Sequence, residues 1–121
     1  MSINKPLLIY VAGPLSGQDG SIGKLSNVVR AVEMGEQIYH KGHFTYIPHL
    51  TVFQHKIIRR LYPDYKPTYD RWLKHDFEIL SRCDALFRID GDSKGADKEV
   101  VEAIRLNKPV YYSLDDIPSS I

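Results

Sequence analysis

Leu7 to Ala12, Leu-Leu-Ile-Tyr-Val-Ala, is an unbroken apolar run built largely from residues that favour extended backbone. A strand with one wet face would place a polar residue at every second position; a continuous run suits a central parallel strand covered on both sides. That requirement constrains everything after it. Parallel strands cannot be joined by tight hairpins, so the chain must cross back over the sheet between them. Between Lys24 and Lys41, Leu25, Val28, Val29, Val32 and Tyr39 recur at helical spacing, with Gly42 as a stop. Phe44 to Ile47 is then a second strand closed by Pro48, which completes a βαβ unit. A helix from Asp70 to Cys83 follows, with Trp72, Leu73, Phe77, Ile79 and Leu80 as its apolar stripe. The third strand carries Ala85, Leu86, Phe87 and Ile89, a further helix carries Val100, Val101 and Ile104, and Lys108 to Ser113 is the fourth strand. The order β-α-β-α-α-β-α-β predicts one α/β domain over residues 1–121. Its expected architecture is a flavodoxin-like or Rossmann-like parallel sheet of four to five strands, spatial order 2-1-3-4, with helices on both faces.

A chain of 121 residues has room to bury roughly two-thirds of its unfolded surface, enough for a core without disulfides or a structural metal. The net charge of +1 gives no global argument for a nucleic-acid or membrane partner, so local features must carry the function. Cys83 is the sole cysteine, and beside a buried strand it reads as a small core residue rather than a nucleophile. With no apolar run of membrane-spanning or signal-peptide length, a cytoplasmic setting is the expectation.

The stretch Asp84 to Glu99 reads as strand, loop and helix start. Gly91 permits the turn, Asp92 or Ser93 can cap the helix, and Glu99 lies early in it, at the carboxyl edge where open α/β sheets bind ligands. Its neighbours one turn away, Gly95, Ala96 and Ala103, are small. The carboxylate therefore either faces a space that another molecule fills or is an ordinary solvated glutamate favoured by the helix dipole. Asp76 is more unusual, because it sits inside the apolar stripe of its helix. It must be bonded to a backbone group or to His75, or face a pocket, since an unpaired buried carboxylate costs several kcal/mol.

Two further segments fall at the same edge. The loop Gly13-Pro14-Leu15-Ser16-Gly17-Gln18-Asp19-Gly20-Ser21-Ile22-Gly23 fits neither phosphate-binding fingerprint, and reads as an anion cradle or a connector. Pro48 to Tyr69 combines a short helix with a Pro/Tyr-rich stretch, either a lid over a small ligand or a connector packed by its own tyrosines. His49 and His55 lack the spacing of a metal pair, so no metal and no cofactor is expected.

Three blocks together resemble the signature of the nucleoside 2-deoxyribosyltransferase superfamily, which includes the 2'-deoxynucleoside 5'-phosphate N-hydrolases. They are Ile9-Tyr10-Val11-Ala12-Gly13-Pro14-Leu15-Ser16-Gly17, Leu80-Ser81-Arg82-Cys83-Asp84-Ala85-Leu86, and Ser93-Lys94-Gly95-Ala96-Asp97-Lys98-Glu99. The chain looks closest to a compact bacterial and phage branch with the same Pro-His-Leu, Trp-x-x-x-Asp and Ser-x-Gly-Ala-x-x-Glu pattern. The resemblance implies cleavage or transfer at an N-glycosidic bond of a nucleoside or nucleoside 5'-monophosphate. It assigns Glu99 as nucleophile, Asp76 as the acid serving the departing base, and Tyr10 as the residue that positions Glu99. Gly13, Pro14, Ser16, Gly17, His49, Trp72, Ser93 and Gly95 are the implied substrate-binding positions. Ser93 matches the hydrolases, whereas Ser16 stands where they carry arginine, leaving Lys24 and Arg59 as the candidate cations for a phosphate. The implied partners are a small-molecule nucleoside or nucleotide and further copies of the same chain, with no nucleic acid and no membrane.

Overall fold

The computed structural model describes residues 2–15 and 24–120. The apolar run forms β1 (Leu8–Ala12), buried along nearly its whole length, and crosses through α1 (Leu25–Tyr39) to β2 (Phe44–Tyr46). A single 3-10 turn at Pro48–Leu50 leads into α2 (Thr51–Leu61), then α3 (Tyr69–Arg82), β3 (Ala85–Arg88), α4 (Lys94–Arg105) and β4 (Val110–Tyr111). The strands form one parallel sheet in the order β2-β1-β3-β4, as the element order predicts.

Because side chains alternate across a strand, β1 feeds two cores. Ile9 and Val11 join Phe87 and Ile89 under α1, where Ala31 and Ile38 cover them. Tyr10 and Ala12 join Leu86 on the opposite face, under Leu80 of α3 and Ala96 and Ala103 of α4. Cys83 belongs to this second core, 1% exposed, and burial pushes its thiol up to about 11, so it is an inert core residue at neutral pH.

Two of the apolar stripes lie differently from the expectation. On α1 the buried residues are Val28, Ala31, Gly35 and Ile38, while Leu25, Val29, Val32 and Tyr39 are exposed. On α4 the buried face is Ala96, Glu99 and Ala103, and Val101 and Ile104 are 67% and 60% exposed. The reason is close approach. A Cβ on Gly35 would come within 2.7 Å of Ile47 Cδ1, so α1 lies too near the sheet for a large residue there. On α3 only Leu80 is fully buried; Trp72, Leu73, Phe77 and Ile79 are half-covered, as is Asp76 between them.

The amino edge of the sheet is closed by His43, which is fully buried. Its Nδ1 accepts from the Leu7 amide at 2.9 Å and its Nε2 donates to the Pro118 carbonyl, joining β1, β2 and the last residues. No helix among the described residues is long and apolar enough to cross a membrane.

Candidate active site

Glu99 is placed by a well-made helix start. Gly91, at φ +119, turns the chain after β3 in a conformation that a Cβ would strain. Ser93 then caps α4, its Oγ accepting from the Ala96 amide at 3.1 Å. From that start Glu99 falls between Ala96 and Ala103 on the face turned to the sheet, only 8% exposed. Tyr10, fully buried at the middle of β1, donates its hydroxyl to Glu99 Oε2. The solvated reading of Glu99 is therefore set aside by its burial.

Asp76 projects from α3 toward the same group, and its partner is neither a backbone amide nor His75. Tyr46, the last residue of β2, donates its hydroxyl to Asp76 Oδ1 at 3.3 Å. Tyr46 pairs in register with Tyr10, so both side chains leave the same face of the sheet, with ring centroids 5.5 Å apart. Sequence reasoning missed Tyr46, because its place beside Tyr10 depends on the register between two strands. The alternation of Phe44, Thr45 and Tyr46 was the available signal.

The electrostatics follow from burial. Desolvation pushes the Glu99 carboxyl up from 4.5 to about 8; the Tyr10 hydroxyl and the Arg88 charge oppose this, and the Asp76 charge adds to it. Desolvation likewise raises Asp76 from 3.8 to about 7, against the Tyr46 hydrogen bond. Two such carboxyls titrate as a pair, so the pair still holds a proton near neutral pH. Both tyrosine hydroxyls are driven well above their ordinary value by burial and by the adjoining carboxylates, so they act as donors throughout.

Arg88 was also passed over, although a charged residue ending an otherwise apolar strand is a readable signal. Its guanidinium donates to the Ile89 carbonyl, to the Gly91 carbonyl at 3.0 Å and to Asp97 Oδ1 at 3.0 Å. It thereby ties the turn after β3 to the first turn of α4.

The loops after β1, β2 and β3 meet at Pro14. His49, 2% exposed, places Nε2 3.1 Å from the Pro14 carbonyl, and burial lowers its basicity. A Cβ on Gly91 would lie 2.8 Å from Pro14 Cγ, and one on Gly13 would lie 2.9 Å from Ile89 Cβ. Gly95 is different: among the described residues a Cβ there would meet nothing nearer than Ser93 Oγ at 4.0 Å, so those residues leave space beside it. Ser16 and Gly17 lie outside the described residues.

Trp72 stands one turn before Asp76 and joins the group through His75, with ring centroids of 5.7 Å from Trp72 to His75 and 6.4 Å from His75 to Tyr46. Its indole N–H donates to His55 Nδ1 at 3.1 Å, and the Arg71 guanidinium lies 4.7 Å from its ring centre. In the Pro/Tyr-rich stretch Tyr62, Tyr65 and Tyr69 are exposed. Arg59 donates to the Tyr65 carbonyl at 3.2 Å within its own segment, and Lys24 is exposed beside the first loop. A concavity of about 350 Å³ involving Arg30, Met34 and Tyr112–Asp115 contains neither carboxylate.

The second core face thus presents one buried and one half-buried carboxyl, Glu99 and Asp76, each bonded to a tyrosine, at the carboxyl side of a parallel sheet. One can act as a nucleophile or cation stabiliser and the other as a proton donor. No protein-family model matches the chain, and no curated protein matches it. Among solved structures it is similar to one described as a 2-deoxyribosyltransferase from the psychrotolerant bacterium Bacillus psychrosaccharolyticus, with 23% identity, a TM-score of 0.55, and coverage of 85% of this chain and 69% of that one. The four-stranded 2-1-3-4 sheet with its helices is a 2-deoxyribosyltransferase-like fold.

Proposed function

We propose that the protein cleaves the N-glycosidic bond of a deoxynucleoside, a nucleoside or their 5'-monophosphates, with hydrolysis preferred over transfer to a second base. The observation that carries this reading is the pair of carboxyls, buried Glu99 held by Tyr10 and half-buried Asp76 held by Tyr46. The family resemblance of the sequence blocks and the similarity of fold support it.

In this reading ionised Glu99 attacks the anomeric carbon as the carbon–nitrogen bond breaks, giving a glycosyl ester. With Glu99 at about 8 and Asp76 at about 7 the shared proton favours Glu99 in the free chain. The reactive form is the one in which it has passed to Asp76, leaving on Glu99 the anion that Tyr10 and the Arg88 charge favour, and Asp76 delivers it to the departing base. Water then attacks the ester, with Asp76 accepting its proton, and Glu99 is released. A second base in place of water makes the same sequence a transfer. The amide groups at the start of α4, capped by Ser93, and Lys24 beside the first loop would receive a 5'-phosphate. The competing reading is a nucleotide sensor that keeps the pocket without turnover.

The test is chromatography of free base released from deoxy- and ribonucleosides and their 5'-monophosphates, with and without an acceptor base, beside Glu99→Ala. Release by wild type alone supports the hydrolase and names its substrate. Exchange seen only with an acceptor makes it a transferase. Silence across the panel, with ligand binding retained, refutes both and leaves the sensor.

A further inference from the structure

Tyr10 and Tyr46 occupy matched positions on neighbouring parallel strands, and their hydroxyls go to different carboxylates. A phenol has one hydrogen to give, so neither tyrosine can donate to both acids at once. Tyr10 is committed to Glu99 from beneath, at the buried centre of the sheet. Tyr46 reaches Asp76 from the strand end, half-exposed, with His75 flanking its ring. Tyr46 meets Oδ1 of Asp76, and Oδ2 takes no part in that bond.

We infer that Tyr46 is a positioning residue for Asp76, aiming one carboxyl oxygen at the departing base as Tyr10 aims Glu99 at the sugar. The assignment of Asp76 as the acid rests on the proposed function; the division of the tyrosines between the carboxyls rests on geometry alone. When Asp76 is ionised it accepts from Tyr46. When it is protonated the phenol oxygen remains in reach and the carboxyl keeps its orientation. The groups that face Asp76 from the packed elements are Tyr46 on β2, Tyr10 on β1 and Glu99 on α4, with His75 beside it on α3. Arg88 acts on this set through Glu99. Among them Tyr46 is the group bonded to Asp76 itself.

The experiment is a carboxyl-carbon NMR titration of the full chain, comparing wild type, Tyr46→Phe and Tyr10→Phe. Phenylalanine keeps each ring, and circular-dichroism melting verifies that the variants fold. Tyr46→Phe should raise the Asp76 midpoint by about half a pH unit or more, since the lost hydrogen bond favoured the anion, and move Glu99 less. Tyr10→Phe should show the reverse pattern. On the substrate named by the panel, Tyr46→Phe should lower kcat with KM nearly unchanged and carry the alkaline limb upward by the same amount. An Asp76 midpoint that stays in place in folded Tyr46→Phe, or one that moves no more than Glu99, overturns the inference. A chain silent on the panel refutes the proposed function instead, and the titration still decides the tyrosine assignment.

Discussion

Replacing Glu99 by glutamine should stabilise this protein, and by an amount that grows with pH. In the folded chain burial pushes the Glu99 carboxyl up from 4.5 to about 8, whereas in the unfolded chain it ionises at its ordinary value. The folded state therefore holds the proton more tightly. Stability is full below about pH 4.5 and is lost as pH rises, at about 1.4 kcal/mol per pH unit, until the folded carboxyl has itself ionised near pH 8. By pH 7 the loss is on the order of 3 kcal/mol, a large part of the stability of a domain this size. Glutamine does not ionise, is close in shape, and offers Oε1 to the Tyr10 hydroxyl. Asp76 titrates in both chains, so its own contribution largely cancels in the comparison. The assay is urea unfolding of both proteins at intervals between about pH 5 and pH 8. The midpoints should start close together and diverge in favour of the variant. A gap that stays constant with pH would refute the claim that the fold holds the Glu99 carboxyl protonated well above its ordinary range.

Gly13→Ala should destabilise by about 1–3 kcal/mol in thermal melts, because its Cβ would sit 2.9 Å from the branched Cβ of Ile89, which cannot swing aside. Gly95→Ala should do the opposite, raising stability by roughly 0.5–1 kcal/mol through helix propensity while weakening binding of the panel ligand, if the open space beside it receives that ligand. Binding unchanged in a folded Gly95→Ala would remove Gly95 from the site. The exposed Leu25, Val29 and Val32 on one face of α1 fit a homo-oligomer, so light scattering should give a mass above one chain, and Val29→Glu should reduce it. A monomer at assay concentration would count against that assembly.

Much of this architecture could be read from runs and punctuation. Leu7 to Ala12 announced a strand covered on both sides, and Gly42, Pro48 and Gly91 marked where elements stop. The helix faces were harder. Hydropathy favours Val29, Val32, Val101 and Ile104, yet the helices turn Ala31, Gly35, Ala96 and Ala103 inward. Small residues contribute little to an apolar stripe but set how closely a helix approaches a sheet, and that distance depends on partners far away in sequence. The same applies to the carboxylates. Glu99 stood out through its small neighbours and Asp76 through its place in a stripe, both local signals. Tyr46 and Arg88 escaped because one depends on strand register and the other on where a turn folds back.

The stem of the first loop has a consequence for how this protein can be altered. Leu15 O accepts from the Lys24 amide at 2.8 Å and from Asn27 Nδ2 at 3.2 Å, while Pro14 is held by His49. Leu15 and Lys24 are thus two points closed on each other and anchored to the framework. Doubling the number of residues between two points closed in this way costs only about 0.6 kcal/mol in chain entropy. An insertion between Leu15 and Lys24 should accordingly cost the fold little, with the sheet, the two carboxyls and their tyrosines left undisturbed.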